Sequence, residues 1–466
     1  MSADENDVST AQHEEISLSS RGHGHDCLHD ITHDTILILC YIYPMNIKKT
    51  TLSNGLRLVT IPMADNPAVT VLVMVEAGSK YETKETNGLS HFLEHMVFKG
   101  STKRPKAAEI SRELDSIGAH FNAFTGQEYT GYYAKVASNR FDQALDIVSD
   151  MYVDPTFNPT EAEKEKGVII EELRMYQDLP QHQVQDVLND LVHGDQPAGW
   201  KIIGTESNVR SFTREQLLKY RSEHYVASST IVIIAGSFDQ TTIEEQVSKA
   251  FSSISTSAAK TKIAVNESQT TPQCKTLFKE TDQTHIAFAV RTFPILDPRA
   301  PVMSVLSTLL GGSMSSRLFA RMREELGICY YIHASHGPST DCGELSISAG
   351  VDNSRVEEAV KGIISECVRL KNELVSDAEL KKVKDYLAGS TLLGLETSDA
   401  RAEFCGYQEI LKHTIQNPAD LIAKIQAVTA DQIQKLAKEV FVDAGLNMAA
   451  VGKYKDGEIF KNLLHF

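Results

Sequence analysis

The sequence predicts an α+β protein with two homologous domains, each a mostly antiparallel sheet packed with helices. Three observations lead to this prediction. The chain of 466 residues is too long for one compact core. Strand-like runs are joined by short turns as often as by helices, which favours antiparallel pairing. The order of predicted elements recurs once along the chain, as expected of a duplicated unit of about 200 residues.

Residues 1–44 form a head of different character. They contain eight acidic residues, one Arg and five of the 16 histidines. Their apolar stretch TILILCYIYP is too short for a membrane span and lacks the basic flank of a secretion signal. We expect a disordered, acidic, His-rich head, although HGHDCLHDITH offers His and Cys at a spacing that could hold a metal ion. Because Met45 precedes an ordinary strand, the head is also open to interpretation as an upstream extension of the coding frame.

The composition argues against several classes of function. The 46 Lys and Arg residues against 62 Asp and Glu give a net charge of −16, which disfavours nucleic acid or an anionic membrane as the partner. The seven cysteines are scattered and form no CxxC pair. With no evident secretion signal, this pattern is typical of reduced thiols and predicts a cytoplasmic protein.

The predicted N-terminal domain spans residues 45–251. It begins with two strands around the Asn-Gly turn of TTLSNGLRLVTIPM and the apolar strand AVTVLVMV. Two helices follow, in LSHFLEHMVFKGS and AAEISRELDSIGA, and then strands in HFNAFTGQEYTGYYAKV. Long helices are predicted for FDQALDIVSDMYVDP and TEAEKEKGVIIEELRMYQD, the second starting with a capping box of Thr160 and Glu163. The helix TREQLLKYRSEHY and the buried strand STIVIIAGSF complete the domain.

A low-complexity linker, residues 252–273, separates this domain from the C-terminal one, residues 274–466. The second domain has a strand in THIAFAVRTFP and helices in PVMSVLSTLLG and SSRLFARMREELG. Strands in YYIHASHG and CGELSISAGV and two long helices over 354–372 and 377–394 follow. The recurrence lies in the order of the elements, with little sequence identity.

The chemistry is concentrated in LSHFLEHMVFKGS. On a helix, His91 and His95 lie one turn apart on the same face and can point a nitrogen each at one metal ion, with Glu94 flanking that point. Zn²⁺ suits imidazole ligands, and a catalytic zinc leaves a position for water, whose proton Glu94 would take. The H-x-x-E-H spacing is a known zinc-protease signature. The alternative is a surface pair of histidines beside an acid.

A third ligand is expected on the helix EAEKEKGVIIEELRMYQD. Glu165, Val168 and Glu172 fall on one face of it. A Glu172 side chain buried among the apolar residues of this helix, which are Val168, Ile169, Leu173 and Met175, would be costly without a cation. Glu171 is an equally good candidate, because helical periodicity does not separate two adjacent residues.

The segments HFLEHMVFKGS, FNAFTGQEYTGYYAKV and EKEKGVIIEELRMYQD together resemble the pitrilysin/insulinase (inverzincin) metallopeptidase family, and most closely its mitochondrial-processing-peptidase-like branch. The resemblance covers the chain from about residue 46 to near its C-terminus. It implies one zinc per chain, held by His91, His95 and Glu172, with Glu94 as the catalytic base. It also implies that Glu165 supports the site as a neighbouring acid.

The same resemblance points to residues that contact the substrate. FNAFTG resembles the family's edge strand, to which an extended substrate adds as one more strand, and Asn122 and Ala123 are the candidates. The second half lacks H-x-x-E-H, but LLGGSMSSRLFARMREELGICYY is similar to the segment that supplies an Arg and, seven residues later, a Tyr. These are Arg323 and Tyr330, which would hold the substrate carbonyl and its oxyanion. Arg321 and Tyr331 are nearby alternatives.

These features predict a zinc-dependent endopeptidase that hydrolyses unfolded peptides as a homodimer. One alternative is a processing-peptidase-like subunit that needs a different, related partner chain. Another is a non-catalytic scaffold like the respiratory-complex core proteins of the same fold, although their metal motif is usually damaged and this one is intact. The cleavage specificity and the natural substrate do not follow from the sequence.

Overall fold

A computed structural model describes residues 45–466, which form one unit with two sheets. The predictions for residues 1–44 lie outside the described residues. The first sheet has the order β1-β2-β6-β3-β5-β4, and its pairs are antiparallel except for β2 and β6. Its strands are β1 (Lys48–Thr51), β2 (Arg57–Pro62), β3 (Ala68–Val75), β4 (His120–Thr125), β5 (Thr130–Ala137) and β6 (Thr230–Gly236).

The second sheet repeats this topology. Its strands are β7 (Gln273–Phe278), β8 (Gln283–Arg291), β9 (Cys329–Pro338), β10 (Gly343–Asp352) and β11 (Leu446–Gly452). The order β7-β11-β8-β10-β9 matches β2-β6-β3-β5-β4, including the one parallel pair, and β1 has no counterpart in the second sheet. The recurrence predicted from element order is therefore a repeat of sheet topology, and the predicted α+β class with mostly antiparallel sheets is confirmed. Strands β4 and β9 occupy equivalent edges.

Helices cover the sheets. In the first half they are α1 (Leu89–Val97), α2 (Ala107–Ser116), α3 (Phe141–Val153), α4 (Pro159–Asp178), α5 (Pro180–His193), α6 (Glu206–Ser211), α7 (Arg214–His224) and α8 (Ile243–Ala250). In the second half they are α9 (Ala300–Gly311), α10 (Val356–Asn372), α11 (Asp377–Leu393), α12 (Ser398–Lys412), α13 (Pro418–Gln426), α14 (Ala430–Val440) and α15 (Glu458–Lys461). The segment Phe319–Glu325 is π-helical. Within residues 45–466, no helix combines the length and apolar character that crossing a bilayer requires.

One detail of the predicted helices changes, namely the start of α4. The capping box predicted at Thr160 and Glu163 is wrong, because α4 begins one residue earlier, at Pro159. Its N-cap is Asn158, whose side chain accepts from the backbone N–H of Thr160 at 2.9 Å. Proline has no N–H that needs a partner at the first helical position, and asparagine at the N-cap accepts a hydrogen bond from a free backbone N–H of the first turn.

One helix from each half of the chain packs against the sheet of the other half. Helix α5 packs on β8 and β11, where its buried residues Val184, Leu188 and Val192 meet small alanines on the strands. Helix α12 packs on β3 and β6 of the first sheet. The two predicted domains are continuous stretches of sequence, whereas in the structure one helix of each packs on the sheet of the other. Because α5 directly follows α4, this exchange brings the second sheet next to the predicted metal site.

A group of four charges, two of them buried and two partly exposed, joins the two halves. Lys80 is fully buried and lies 2.5 Å from Asp341 and 3.0 Å from Glu128. Lys262 lies 2.6 Å from Asp341. Glu128 belongs to the β4–β5 turn, Asp341 to the β9–β10 turn and Lys262 to the predicted linker, which is irregular in conformation but held to both turns. The two hairpin tips therefore meet through paired, desolvated charges.

Replacing Asp341 with Asn should destabilise the protein in a pH-dependent way. Burial raises the pKa of Asp341, but the ion pairs with Lys262 and Lys80 outweigh it and lower the pKa to about 2. A carboxyl whose folded-state pKa is depressed stabilises the fold above its unfolded pKa, and this contribution is lost as the pH falls from about 4 to about 2. After allowance for solvent screening, we expect Asp341→Asn to cost about 1–2 kcal/mol at neutral pH.

Denaturant unfolding of both proteins at several pH values measures this difference. It should be constant above about pH 5 and should shrink below about pH 4. Asp195→Asn is the control. The Asp195 side chain pairs with Lys84 but is 65% exposed, so this pair should contribute little to stability. A difference that persists undiminished at pH 3 would contradict the ion-pair explanation.

Candidate metal centre

Helix α1 places the two histidines of the H-x-x-E-H segment. Its other face is fully buried through Phe92, Leu93 and Met96, which fixes the rotation of the helix about its axis. The N-terminus is held by Glu82, whose carboxylate accepts from the backbone N–H groups of Ser90 at 2.6 Å and Gly88 at 2.8 Å. Burial raises the pKa of Glu82 to about 7, although these hydrogen bonds act to lower it. Sequence reasoning missed this residue.

Gly88 makes the close approach at the start of α1 possible. Its φ is 101°, in the left-handed region, and a Cβ there would come within 2.8 Å of the Ile203 carbonyl oxygen. A side chain at this position would therefore be both strained and obstructed. The segment around Ile203 lines the same cavity as His91, so the close contact also shapes the site.

Helix α4 brings the acidic residues to α1. Ile169, Ile170 and Leu173 are buried and anchor the helix. Val168 does not bury Glu172 as expected, because it is 51% exposed. The Glu172 side chain is 25% exposed and lies on the open side of the helix, facing α1.

His91, His95 and Glu172 converge. Glu172 Oε2 lies 3.7 Å from His91 Nε2 and 3.5 Å from His95 Nε2. One ligand atom from each of the three residues lies within 4.8 Å of the others. Tetrahedral zinc with bonds of about 2.0–2.1 Å separates its ligand atoms by roughly 3.3 Å. Two imidazole nitrogens and one carboxylate oxygen at these separations fit a zinc ion.

The geometry separates the two adjacent glutamates that periodicity could not. Glu171 points away from the histidines, is 72% exposed, and pairs with Arg174 at 2.7 Å. Its neighbour Glu172 additionally hydrogen-bonds Tyr176, one turn later on α4. The arrangement therefore favours Glu172 as the third ligand.

Electrostatics distinguish the two histidines. Burial, and then the neighbouring His95, lower the pKa of His91 to about 4. Burial also lowers the pKa of His95, but hydrogen bonds with Glu165 and Glu172 outweigh it and raise the pKa to about 9. The hydrogen bond with His95 holds the pKa of Glu172 below its ordinary value. The site thus concentrates negative charge where a cation would bind.

Glu165 lies behind His95. Its Oε1 is 2.9 Å from His95 Nδ1, and its Oε2 is 2.7 Å from Lys99 Nζ. Although burial raises the pKa of Glu165, these two partners lower it overall. The contact fixes the His95 ring so that Nε2 faces Glu172, the usual role of a carboxylate behind a metal-binding histidine. Lys99 was not predicted from the sequence.

Glu94 projects beside the ligand group and is oriented by strand β4. Thr125 Oγ1 donates a hydrogen bond to Glu94 Oε2 at 2.5 Å. Burial raises the pKa of Glu94, and the hydrogen bond from Thr125 opposes this. Sequence reasoning also missed Thr125, although it ends the FNAFT run that was singled out.

Asn122 and Ala123 lie on β4, at the edge of the first sheet. Ala123 is in register with Tyr132 of β5, and the outer side of β4 has no strand partner among the described residues. Asn122 is exposed, and its Oδ1 accepts from the Ala123 backbone N–H at 3.0 Å. An incoming strand would compete with Asn122 for this donor.

Arg323 and Tyr330 lie next to each other in the second half of the chain. The Arg323 guanidinium carbon is 5.3 Å from the centre of the Tyr330 ring, and Tyr330 is 72% exposed. Neither residue lines the cavity that contains His91 and Glu172. The alternatives are engaged elsewhere, since Arg321 pairs with Glu325 and the Tyr331 hydroxyl lies 2.9 Å from His285 Nδ1. The substrate-contacting role of Arg323 and Tyr330 stays a prediction.

A cavity of about 500 Å³ opens beside the ligands. Its walls come from α1, β4, α4, α5, the segment around Trp200, and β10 of the second sheet. The lining residues are His91, Thr125, Gln127, Glu172, Tyr176, His182, Gln185, Asp186, Leu188, Asn189, Trp200, Lys201, Ile202, Ile203 and Glu344.

Comparisons with known proteins identify relatives that cover most of this chain. An uncharacterised zinc protease of Bacillus subtilis is 34% identical over 400 residues, covering 85% of this chain and 96% of that protein. A probable mitochondrial-processing peptidase subunit beta of Arabidopsis thaliana is 31% identical over 419 residues, covering 87% of this chain and 78% of that protein. A protease from Helicobacter pylori shares the fold, with a TM-score of 0.83 at 22% identity over 88% of this chain and 100% of that one.

Two family models match consecutive parts of the chain. Residues 211–387 match the domain described as the peptidase M16 inactive domain. Residues 57–206, which contain His91, Glu94, His95 and Glu172, match the insulinase domain of peptidase family M16. With both domains present in this order and relatives aligned over most of their length, the chain belongs to the insulinase family, peptidase family M16.

Proposed function

We propose that the protein is a zinc-dependent endopeptidase that hydrolyses unfolded peptides and uses one zinc ion per chain. The observation that carries the proposal is the convergence of His91, His95 and Glu172, with Glu94 held beside them by Thr125. The relatives named zinc proteases support the same chemistry.

His91 Nε2, His95 Nε2 and Glu172 Oε2 would hold the metal, and Glu165 would keep the His95 ring in the orientation this requires. When bound, zinc acts as a Lewis acid and makes a coordinated water acidic enough to lose a proton near neutral pH. Glu94 is the group placed to accept that proton. Since Thr125 occupies Oε2, we expect Oε1 to be the accepting oxygen.

The free edge of β4 would orient the substrate. An extended peptide adding to β4 gains main-chain hydrogen bonds that do not depend on its side chains. Asn122 and Ala123 lie on this edge, and Thr125 at its end is bonded to Glu94. A peptide on β4 would therefore run past the base and the metal ligands in a fixed register.

Arg323 and Tyr330 would contact the substrate from the second half. Because both lie outside the cavity of their own chain, we propose a homodimer in which two chains enclose the peptide. The alternative is a heterodimer with a related chain, and the Arabidopsis relative is named as a subunit. A non-catalytic scaffold is a weaker alternative, because the three candidate ligands converge and the candidate base Glu94 is held by Thr125.

Metal analysis and cleavage of a mixed peptide library by the purified chain test the proposal. We expect about one zinc per chain, cleavage that stops when a chelator removes the metal, and recovery when zinc is returned. Light scattering on the same sample should give twice the chain mass. Cleavage that survives complete zinc removal would contradict the mechanism, and activity that appears only after a related chain is added would favour the heterodimer.

A further inference from the structure

We propose that Glu344, in the second half of the chain, is a specificity residue that binds a basic side chain of the peptide substrate. This inference rests on the proposed peptidase function. It assigns part of the substrate site to the domain that lacks the metal motif.

Glu344 lies on the face of β10 that points toward the first half. Along β10, Leu345 and Ile347 are buried in the core of the second half, so the alternate residues face the opposite side of the sheet. On that side, Ser348 accepts a hydrogen bond from Gln185 of α5 at 2.7 Å. Glu344 lines the same 500 Å³ cavity as His91 and Glu172, and among the described residues it is the only lining residue from the second half.

One oxygen of the Glu344 carboxylate lacks a hydrogen-bond donor among the described residues. This oxygen, Oε2, is buried. Arg291 is the cross-strand neighbour of Glu344 on β8, and the positive charge of Arg291 partly offsets the effect of burial on the pKa of Glu344. That guanidinium is committed elsewhere, because it donates to Glu267 at 2.8 Å, to Gln269 at 3.2 Å and to the Val192 carbonyl oxygen. A desolvated carboxylate oxygen without a partner costs free energy that a ligand donor would recover.

The other carboxylates of the cavity are already matched. Asp186 pairs with Lys201 at 2.8 Å, and Glu172 faces the two histidines. Glu344 is therefore the cavity carboxylate left to attract a ligand cation. Burial raises its pKa, and a guanidinium or ammonium group beside it would favour the charged form. A single carboxylate is too few ligands for a second metal ion, so an Arg or Lys side chain is the matching group.

The test uses peptides in which one Arg is moved along an otherwise neutral sequence, each paired with a twin carrying citrulline instead. Citrulline keeps the shape of Arg and removes its charge. For the wild-type protein we expect one Arg position to raise kcat/KM by about 10-fold to 100-fold over its citrulline twin. In Glu344→Gln this ratio should fall to about 1.

Two further variants make the result specific. Glu280→Gln is the matched control, since Glu280 is also in the second half but 76% exposed, and it should keep the preference for Arg. Glu344→Arg should instead favour peptides with Glu at the same position. Zinc content and the melting temperature of each variant show that the fold is intact.

Equal cleavage of all Arg and citrulline twins by the wild-type protein would overturn the inference and leave the proposed function standing. Retention of the Arg preference in Glu344→Gln would also overturn the inference and leave the proposed function standing. Failure of the wild-type protein to cleave any peptide would overturn the proposed function and this inference with it.

Discussion

Replacing Glu94 with Gln should abolish peptide hydrolysis and leave zinc bound. Glutamine keeps the size of the side chain and can still accept the hydrogen bond from Thr125, but it cannot take a proton. General base catalysis of this kind contributes about 10²–10⁴-fold, so kcat should fall by at least that range of factors. Because Glu94 is not among the three converging ligand residues, the zinc content should stay at one per chain.

The measurement is kcat on a fluorogenic peptide together with zinc analysis of the same preparation. Glu113→Gln provides a control, because Glu113 lies on α2 and pairs with Arg104 at 2.8 Å, away from the ligands. It should change neither activity nor zinc content. Normal cleavage by Glu94→Gln with a full complement of zinc would show that another group takes the proton.

Much of the site could be predicted because its spacing reflects a single helix. His91 and His95 are one turn apart, so their relative positions follow from helical geometry alone. The assignment of Glu172 over Glu171 could not follow from geometry of this kind. Adjacent helical residues differ by about 100° in direction, and the rotation of α4 is set by Ile169, Ile170 and Leu173 packing into the core.

The residues that sequence reasoning missed act across the fold. Glu82 caps α1 from an irregular segment, and Thr125 reaches Glu94 from a strand that follows it by some thirty residues in the chain. Such contacts depend on tertiary packing, which a local pattern does not encode. The exchange of α5 and α12 between the halves is similar, because the amphipathic pattern of a helix shows that one face is buried but not against which sheet. Glu344 lines the same cavity as His91 because α5 packs on the second sheet.

The largest effect on metal binding should come from one of two adjacent glutamates. Glu172→Gln should lower zinc affinity by at least about 100-fold, since even residues that merely support a metal ligand typically contribute 10-fold to 100-fold. Glu171→Gln makes the identical chemical change one residue away on the same helix. There it removes only an exposed pair with Arg174, so zinc affinity and stability should be unchanged.

Competition with a chromophoric chelator measures both affinities at one pH. The two variants control for each other, because any general effect of losing a negative charge from α4 would appear in both. Loss of zinc in Glu171→Gln with retention in Glu172→Gln would mean that α4 is rotated in the metal-bound protein. Equal, small losses in both would place the third ligand on another element, and the convergence of Glu172 on His91 and His95 would then be incidental.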